Sequence, residues 1–227
     1  MAKKKNNSAV SLITLVDQKA KAAEQYRTIR SNIQFSSVDR ELKSIVVTSS
    51  GPSEGKSTTS ANLAIVFANG GKKVLLVDAD LRKPTLALTF KIPNPDGLST
   101  LLGDREATCE KYAIETAIPN LAILPSGPKP PNPSELLDSK RMTEVLKQMN
   151  DYYDLVIFDM PPVVTVTDAQ ILAAKTDGTL LVVRERKTSK QGILKAHELL
   201  KIANANILGV IYNGAKSQSS SSYYYYG

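Results

Sequence analysis

Short apolar runs alternate with helix-length segments along this chain, and that alternation constrains its fold more than any other feature. The runs are apolar at consecutive positions, which is typical of strands buried on both faces of a parallel sheet. We predict strands at residues 44–48, 74–78, 121–124, 155–159, 179–183 and 207–212. Helices are predicted at residues 56–68, 133–149, 168–174 and 190–203. The predicted fold is α/β, a doubly wound, mostly parallel sheet that binds ligands at the carboxyl ends of its strands.

The length of 227 residues suits one domain of this kind with short appendages, since domains usually have about 100–200 residues. Two Pro-rich loops are predicted within the domain, at residues 83–97 and 125–133. The predicted parts are a basic N-terminal arm at residues 1–22, an α/β domain at residues 23–213 with a helix near residues 23–35, and a flexible Ser- and Tyr-rich tail at residues 214–227.

The positive charge is concentrated near the N-terminus. Of the formal net charge of +7, residues 1–43 carry +5, so the remainder is nearly neutral and gives no reason to expect a nucleic-acid partner. One cysteine, Cys109, and one histidine, His197, exclude an internal disulfide and a zinc cage and suit a reducing cytoplasm. Residues 10–16 form a poor signal-peptide core, and no stretch approaches the ~18 apolar residues that a membrane span needs.

A loop rich in small residues joins the first predicted strand to the first predicted helix. In this context the pattern is typical of the P-loop, whose backbone N–H groups surround the β- and γ-phosphates of a nucleotide. Lys56 would reach the phosphate oxygens, and the hydroxyl of Ser57 would bind Mg²⁺. One position departs from the consensus, because Ser50 stands where the pattern has Gly. The loop consists of Gly51, Pro52, Ser53, Glu54, Gly55, Lys56, Ser57 and Thr58.

Three acidic residues follow predicted strands. Asp78 and Asp80 are two positions apart, so they emerge on the same side of the second strand. Asp159 ends a run of four apolar residues, as a Walker B carboxylate does. Carboxylates at these places can hold Mg²⁺ or accept a proton from an attacking hydroxyl, although Asp78 and Asp80 alone would equally fit a solvated turn. Beside the P-loop, we expect Ser57, Asp80 and Asp159 to position Mg²⁺ and Asp78 to face the nucleophile.

Four of the nine tyrosines are consecutive at the C-terminus: Tyr223, Tyr224, Tyr225 and Tyr226. Consecutive side chains of an extended segment point in opposite directions, so a packed role for all four is disfavoured. They are interpreted either as an adhesive aromatic tail or as phosphate acceptors. From Asn213 to Tyr223 the chain can span at most roughly 35 Å, which brings its own site or a neighbour's within reach.

These residues resemble the bacterial tyrosine kinases (BY-kinases) of capsular and exopolysaccharide biosynthesis, in their Gram-positive cytoplasmic form. The resemblance extends from about residue 23 to residue 227, and four features carry it: the loop at 52–57, the run at 75–84, the Phe-Asp-x-Pro-Pro at 158–162 and the terminal tyrosines. It implies a P-loop NTPase fold of the MinD/ParA-like type with Walker A, A′ and B motifs. It also implies ATP and Mg²⁺ as cofactors, and tyrosine autophosphorylation of the tail in trans.

The resemblance assigns residues to roles as well. It implies a catalytic set of Lys56, Asp78, Asp80 and Asp159, with Asp78 as the base and Asn213 near the adenine. Two positions depart from the family: Ser53 replaces the usual Gly, and Met160 replaces the usual Thr or Ser. Neither removes a charge or a metal ligand. The implied nucleotide-binding residues are Gly51, Ser53, Glu54, Gly55, Lys56, Ser57, Thr58 and Asn213.

A Glu-x-x-Arg-x-x-Arg motif, which mediates ring-shaped oligomers in this family, is present as Glu24, Arg27 and Arg30. Taken alone, Glu24 and Arg27 would equally fit an ion pair within one helix. The resemblance further implies a membrane chain-length-regulator protein as activator, a cognate phosphotyrosine phosphatase and other protein substrates. It places the chain in the cytoplasm, peripheral at the inner face of the membrane through its activator.

Two other functions compete with this interpretation. A MinD/ParA-like switch ATPase shares the sheet and the P-loop, but it carries a signature lysine at the position of Gly51 and has no use for terminal tyrosines. A non-catalytic adaptor would tolerate the loss of Asp78, Asp80 and Asp159, yet all three are present. We therefore expect an ATP-dependent tyrosine autokinase that regulates polysaccharide synthesis and export.

Overall fold

The computed structural model describes residues 9–36 and 41–215, so the tail tyrosines of the prediction lie outside the described residues. A single seven-stranded sheet organises this part of the chain. Its order is β3-β4-β2-β5-β1-β6-β7, and all neighbouring strands are parallel except β3 and β4. The strands are β1 (Ser44–Ser49), β2 (Val74–Asp78), β3 (Ile114–Glu115), β4 (Leu121–Leu124), β5 (Leu155–Asp159), β6 (Gly178–Arg184) and β7 (Ile207–Asn213).

Helices cover both faces of the sheet. Every residue of β1, β2, β4 and β5 is buried, which confirms the prediction of a doubly wound sheet from continuous apolar runs. The helices are α1 (Ile13–Val16), α2 (Lys21–Phe35), α3 (Lys56–Asn69), α4 (Leu86–Phe90), α5 (Leu98–Gly103), α6 (Cys109–Tyr112), α7 (Pro133–Asp138), α8 (Lys140–Tyr152), α9 (Asp168–Ala173) and α10 (Lys190–Ile202). None of the helices described is long and apolar enough to cross a membrane.

Two apolar cores lie on opposite sides of the sheet. On one side, Ile45 and Val47 of β1 pack with α3 residues such as Leu63. On the other, Val46 and Phe158 pack with residues of α5, α8 and α9. Alternate residues of β1 enter different cores, so both faces of this central strand are covered and its polar carboxyl end becomes its accessible part.

Two predicted elements differ from the structure, and several short elements were not predicted. The helix predicted at residues 133–149 is two helices, because Ser139 is extended and its hydroxyl caps α8 by accepting from the Met142 N–H at 3.1 Å. The loop predicted at residues 83–97 contains the short helix α4. The two-residue strand β3 and the short helices α5 and α6 were not predicted, since segments of two to six residues show little periodicity.

The described part of the predicted N-terminal arm is docked on the domain. Helix α1 lies within it, and Thr14 is only 2% exposed. The backbone N–H and the hydroxyl of Thr14 both donate to Asn62 Oδ1 of α3, at 3.0 and 2.8 Å. The part of the arm from residue 9 onward thus packs on the domain, and α2 begins within the predicted arm at Lys21.

Candidate nucleotide-binding and phosphoryl-transfer site

The phosphate loop links the buried end of β1 to the first turn of α3. Gly55 has φ = 104°, a left-handed conformation that favours glycine. A Cβ added to Gly55 would lie 1.9 Å from Nδ2 of Asn213, at the end of β7. That amide donates to the Glu54 carbonyl oxygen at 3.0 Å. The loop is thus packed against the end of β7, and Gly55 is required for that close approach.

The side chain of Glu54 turns back into its own loop. Its buried carboxylate accepts from the Gly51 N–H and from the Ser50 hydroxyl, each at 3.0 Å. This contact explains why Ser50 is tolerated where the consensus has Gly, because the hydroxyl supplies a donor to a buried charge. The carboxylate of Glu54 therefore shapes its own loop, a role that sequence reasoning missed, and the expected binding of phosphate by this residue stays a prediction.

The lysine of the loop meets two of the predicted carboxylates. Lys56 Nζ lies 2.9 Å from Asp80 Oδ2 and 3.7 Å from Asp159 Oδ1. It also donates to Ser57 Oγ at 3.3 Å. Burial by itself lowers the pKa of Lys56, but the charges of Asp159 and Asp80 outweigh burial and raise that pKa above its usual value. Side chains from the phosphate loop and from the ends of β2 and β5 thus meet at the Lys56 ammonium group. The prediction placed these residues together because they follow the carboxyl ends of parallel strands.

Asp78 is fully buried at the end of β2. One oxygen, Oδ2, accepts from the N–H groups of Thr85 and Leu86 at 2.9 Å, at the start of α4, whereas Oδ1 has no hydrogen-bond partner among the described residues. Burial, with the neighbouring charge of Asp159, raises the pKa of Asp78 to about 7. A carboxyl with one bare oxygen and a pKa near neutrality suits a general base. Its anchoring of α4 was not predicted.

The donor set at Asp159 fits Mg²⁺. Asp159 Oδ2 is buried without a partner in the described part of the chain, and burial raises the pKa of Asp159 despite the charge of Lys56. No cluster of three or more His, Cys, Asp or Glu side chains arranged to hold a metal occurs in residues 9–36 and 41–215. Nucleotide-bound Mg²⁺ usually takes one or two carboxylates, with phosphates and waters as its other ligands. Ser57, Asp80 and Asp159 provide such a set.

Two polar contacts near the site, one made by Ser60 and one by Arg82, were not predicted with the partners they have. Ser60, one turn into α3, donates to Asp159 Oδ1 at 3.3 Å. Arg82 binds Asp168, the first residue of α9, through Nε at 2.8 Å and Nη2 at 2.9 Å. The Asp168 carboxylate is fully buried, so this bidentate pair ties the segment after Asp80 to the start of α9. The sequence signal for Asp168 is only a helix N-terminus.

Asn213 also borders a cavity of about 680 Å³ between α2 and β7. Tyr26 and Ile29 line it from the helix, and Tyr212 lines it from the strand. The expected place of Asn213 near the adenine stays a prediction. Thr58 lies in the first turn of α3, and Met160 is buried in the core with α8 and α9.

The three residues of the oligomerisation motif make contacts within their own chain. Arg27 forms an ion pair with Glu24 on α2 and also donates to the Gln18 carbonyl oxygen. Arg30 Nη1 donates to the Val66 carbonyl oxygen of α3 at 2.8 Å. The structure thus contains the intrachain pair that was the simpler alternative for Glu24 and Arg27, and the intersubunit role stays a prediction.

A phosphate loop on a parallel sheet, with a lysine and carboxylates at the strand ends, defines a nucleotide-binding ATPase domain. In agreement, residues 43–208 match the family model described as an AAA domain.

The particular family follows from full-length relatives. The chain is 48% identical to "Tyrosine-protein kinase YwqD" of Bacillus subtilis (strain 168), over 100% of this chain and 97% of that protein. It is 41% identical to "Putative tyrosine-protein kinase CapB" of Staphylococcus aureus, over 100% and 98%. The chain belongs to this family of bacterial tyrosine-protein kinases.

Solved structures agree with this assignment. The chimerical protein CapA2B2 is 42% identical with a TM-score of 0.84, over 91% of this chain and 92% of that one. The kinase domain of Escherichia coli tyrosine kinase ETK is 31% identical with a TM-score of 0.88, over 100% and 89%. The cell division ATPase MinD of Pyrococcus furiosus is more distant, with 29% identity and a TM-score of 0.63 over 77% and 74%. The MinD-like fold of the prediction is confirmed, and the similarity to kinases extends further along the chain.

Proposed function

We propose that this protein is an Mg-ATP-dependent tyrosine autokinase that phosphorylates its C-terminal tyrosines in trans and regulates capsular or exopolysaccharide synthesis and export. The observation that carries the proposal is the convergence of Lys56, Asp80 and Asp159 at the phosphate loop. It occurs in a chain that matches tyrosine-protein kinases over its whole length. The acceptors are Tyr223, Tyr224, Tyr225 and Tyr226.

The transfer needs little covalent chemistry from the protein. A bond forms between the phenolic oxygen and the γ-phosphorus of ATP, while the bond from that phosphorus to the β–γ bridging oxygen breaks and leaves ADP. The phenolic proton passes to Asp78 Oδ1. Lys56 and the loop N–H groups neutralise phosphate charge. Because the transition state of phosphoryl transfer is loose, positioning and charge neutralisation outweigh the contribution of the base.

Ser57, Asp80 and Asp159 would hold Mg²⁺, directly or through its waters, and the metal would neutralise charge on the β- and γ-phosphates. In the structure, Asp80 and Asp159 instead share the charge of Lys56. The same ammonium is thus positioned to exchange carboxylates for phosphate oxygens when a nucleotide and its metal bind.

We further propose a ring-shaped homo-oligomer formed through Glu24, Arg27 and Arg30, activation by a membrane chain-length-regulator protein, and reversal by a phosphotyrosine phosphatase. The similarity to the chimerical protein CapA2B2 supports such an activator, because that name pairs CapA with CapB, the kinase to which this chain is 41% identical. The protein would then work at the inner face of the membrane.

Labelling with ATP tests the kinase proposal. The purified chain is incubated with labelled ATP and Mg²⁺, with the cytoplasmic tail of the regulator added, and its C-terminal peptide is examined by mass spectrometry. We expect phosphotyrosine at residues 223–226, and loss of label when all four are changed to Phe. ATP turnover without phosphotyrosine would instead favour the MinD/ParA-like switch ATPase.

A further inference from the structure

The phosphate loop contains a residue in a conformation that its side chain disfavours. Ser53 has φ = 59°, in the left-handed region that only glycine enters without strain. Such a conformation persists only where neighbouring groups hold it, and it is often found at functional sites. A neighbouring group is therefore expected to hold Ser53.

Lys187, in the turn between β6 and α10, contacts Ser53 directly. Its Nζ donates to the Ser53 carbonyl oxygen at 3.1 Å, across 134 positions of sequence. The turn itself is closed, since the Lys187 N–H donates to the Arg184 carbonyl oxygen at 3.1 Å. The Arg184 N–H donates in return to the Thr188 hydroxyl at 2.8 Å. The backbone of Lys187 is thus held by the hydrogen bonds of this turn, and its side chain extends from there to the phosphate loop.

This contact orients the donors of the loop. A trans peptide plane directs its C=O and N–H in opposite directions. Because Lys187 holds the Ser53 carbonyl, the Glu54 N–H points away from Lys187. Asn213 binds the Glu54 carbonyl at 3.0 Å and orients the Gly55 N–H in the same way. Two consecutive peptide planes of the loop are therefore each held by a side chain from the end of a strand or the turn after it.

We propose that Lys187 is a positioning residue for nucleotide binding, which holds Ser53 in its left-handed conformation and so directs the loop N–H groups toward the phosphates. The inference rests on the nucleotide binding that the proposed function requires. Lys187 acts through the loop and need not touch the nucleotide. Its role also accounts for Ser53, since a clamped loop can carry Ser where the family resemblance leads one to expect Gly.

Binding of a fluorescent ADP analogue in the presence of Mg²⁺ tests this role. We expect Lys187→Ala to raise Kd roughly threefold to tenfold, the effect of one lost hydrogen bond to a loop. Lys187→Arg, which keeps a charged donor, should restore most of the affinity. Lys190→Ala is the matched control, because Lys190 is an exposed lysine three residues away at the start of α10. It should leave Kd nearly unchanged, and the melting temperatures of all variants should agree.

A second comparison isolates Ser53. Glycine adopts a positive φ without strain, so Lys187→Ala should raise Kd less in a Ser53→Gly background than in the wild type. Equal effects in both backgrounds, or equal losses for Lys187→Ala and Lys190→Ala, would overturn the proposal. If the wild type itself failed to bind the analogue, the proposed function would fail instead, so the two failures are distinguishable.

Discussion

The carboxyl edge of the sheet and helix α2 use their charged residues in different ways. At the edge, Lys56 joins the ends of β2 and β5, and the buried carboxylates there keep two oxygens without partners in the described part of the chain. On α2, Glu24 and Arg27 pair with each other on an exposed surface. Buried charges with unused oxygens can bind a ligand, whereas an exposed pair contributes only about 0–1 kcal/mol. The charged residues of the edge are therefore suited to binding a ligand, whereas those of α2 would contribute substantial binding energy only in contact with a partner.

Replacement of the lysine at the edge should have the largest effect. In the proposed mechanism Lys56→Met removes the cation that would neutralise phosphate charge, and we expect tyrosine phosphorylation to fall at least ~100-fold. Lys201→Met, at the exposed end of α10, is the control and should retain activity. Labelling with ATP measures both. Activity near wild type in Lys56→Met would show that the site lies elsewhere.

The positions of the charged residues at the edge could be predicted because the sheet topology largely determines them. Parallel strands bring their carboxyl ends together, so Lys56, Asp80 and Asp159 could be placed at one edge from the strand pattern alone. Contacts that depend on a side-chain conformation were missed. The contact of Lys187 with Ser53 joins residues 134 positions apart, and that of Arg82 with Asp168 joins residues 86 positions apart. Glu54 contacts Gly51, only 3 positions away, but through a side chain that turns back into its own loop. The periodicity of apolar residues predicts none of these partners.

Asp78 gives the second largest effect. Asp78→Asn keeps an acceptor for the N–H groups of Thr85 and Leu86 but cannot take a proton, and we expect a loss of about 10- to 100-fold. The wild-type rate should rise as pH increases through about 7, the pKa to which burial and Asp159 raise Asp78. The variant should lack this rise. Measurements of the labelling rate from pH 5.5 to 8.5 decide the matter, and an unchanged profile in Asp78→Asn would reject Asp78 as the base.

The same group makes stability depend on pH. Folded Asp78 keeps its proton up to about pH 7, whereas in the unfolded chain it loses that proton near its usual pKa of 3.8. Its contribution to the free energy of unfolding is therefore present at low pH and is lost as pH rises through about 7. Urea unfolding should show a flatter pH dependence in Asp78→Asn than in the wild type. Asp96→Asn, an exposed control, should change neither profile.

A moderate effect is expected at the rim of the site. Arg82→Ala leaves the buried Asp168 carboxylate without its bidentate partner. Because the Arg82 side chain is 35% exposed, water compensates in part, and we expect a loss of about 1–3 kcal/mol in unfolding free energy. Arg82→Lys keeps the charge but cannot form the bidentate pair, so its unfolding free energy should lie between those of the wild type and Arg82→Ala. A loss as small as that of an exposed arginine, such as Arg105→Ala, would show that the pair is not important for the fold.

Helix α2 should show the smallest effect on the isolated chain and a clear one on assembly. The Glu24–Arg27 pair is exposed, so Arg27→Ala should change unfolding free energy by less than about 1 kcal/mol. If the motif joins subunits, however, Arg27→Ala with Arg30→Ala should convert the oligomer to monomers in light scattering, since each copy in a ring repeats the lost contact. Lys19→Ala with Lys21→Ala removes the same charge from the same region and should preserve the oligomer. An oligomer that survives the arginine changes would leave Glu24, Arg27 and Arg30 with only their intrachain roles. The charged residues of the sheet edge would then serve phosphoryl transfer, and those of α2 would serve only local packing.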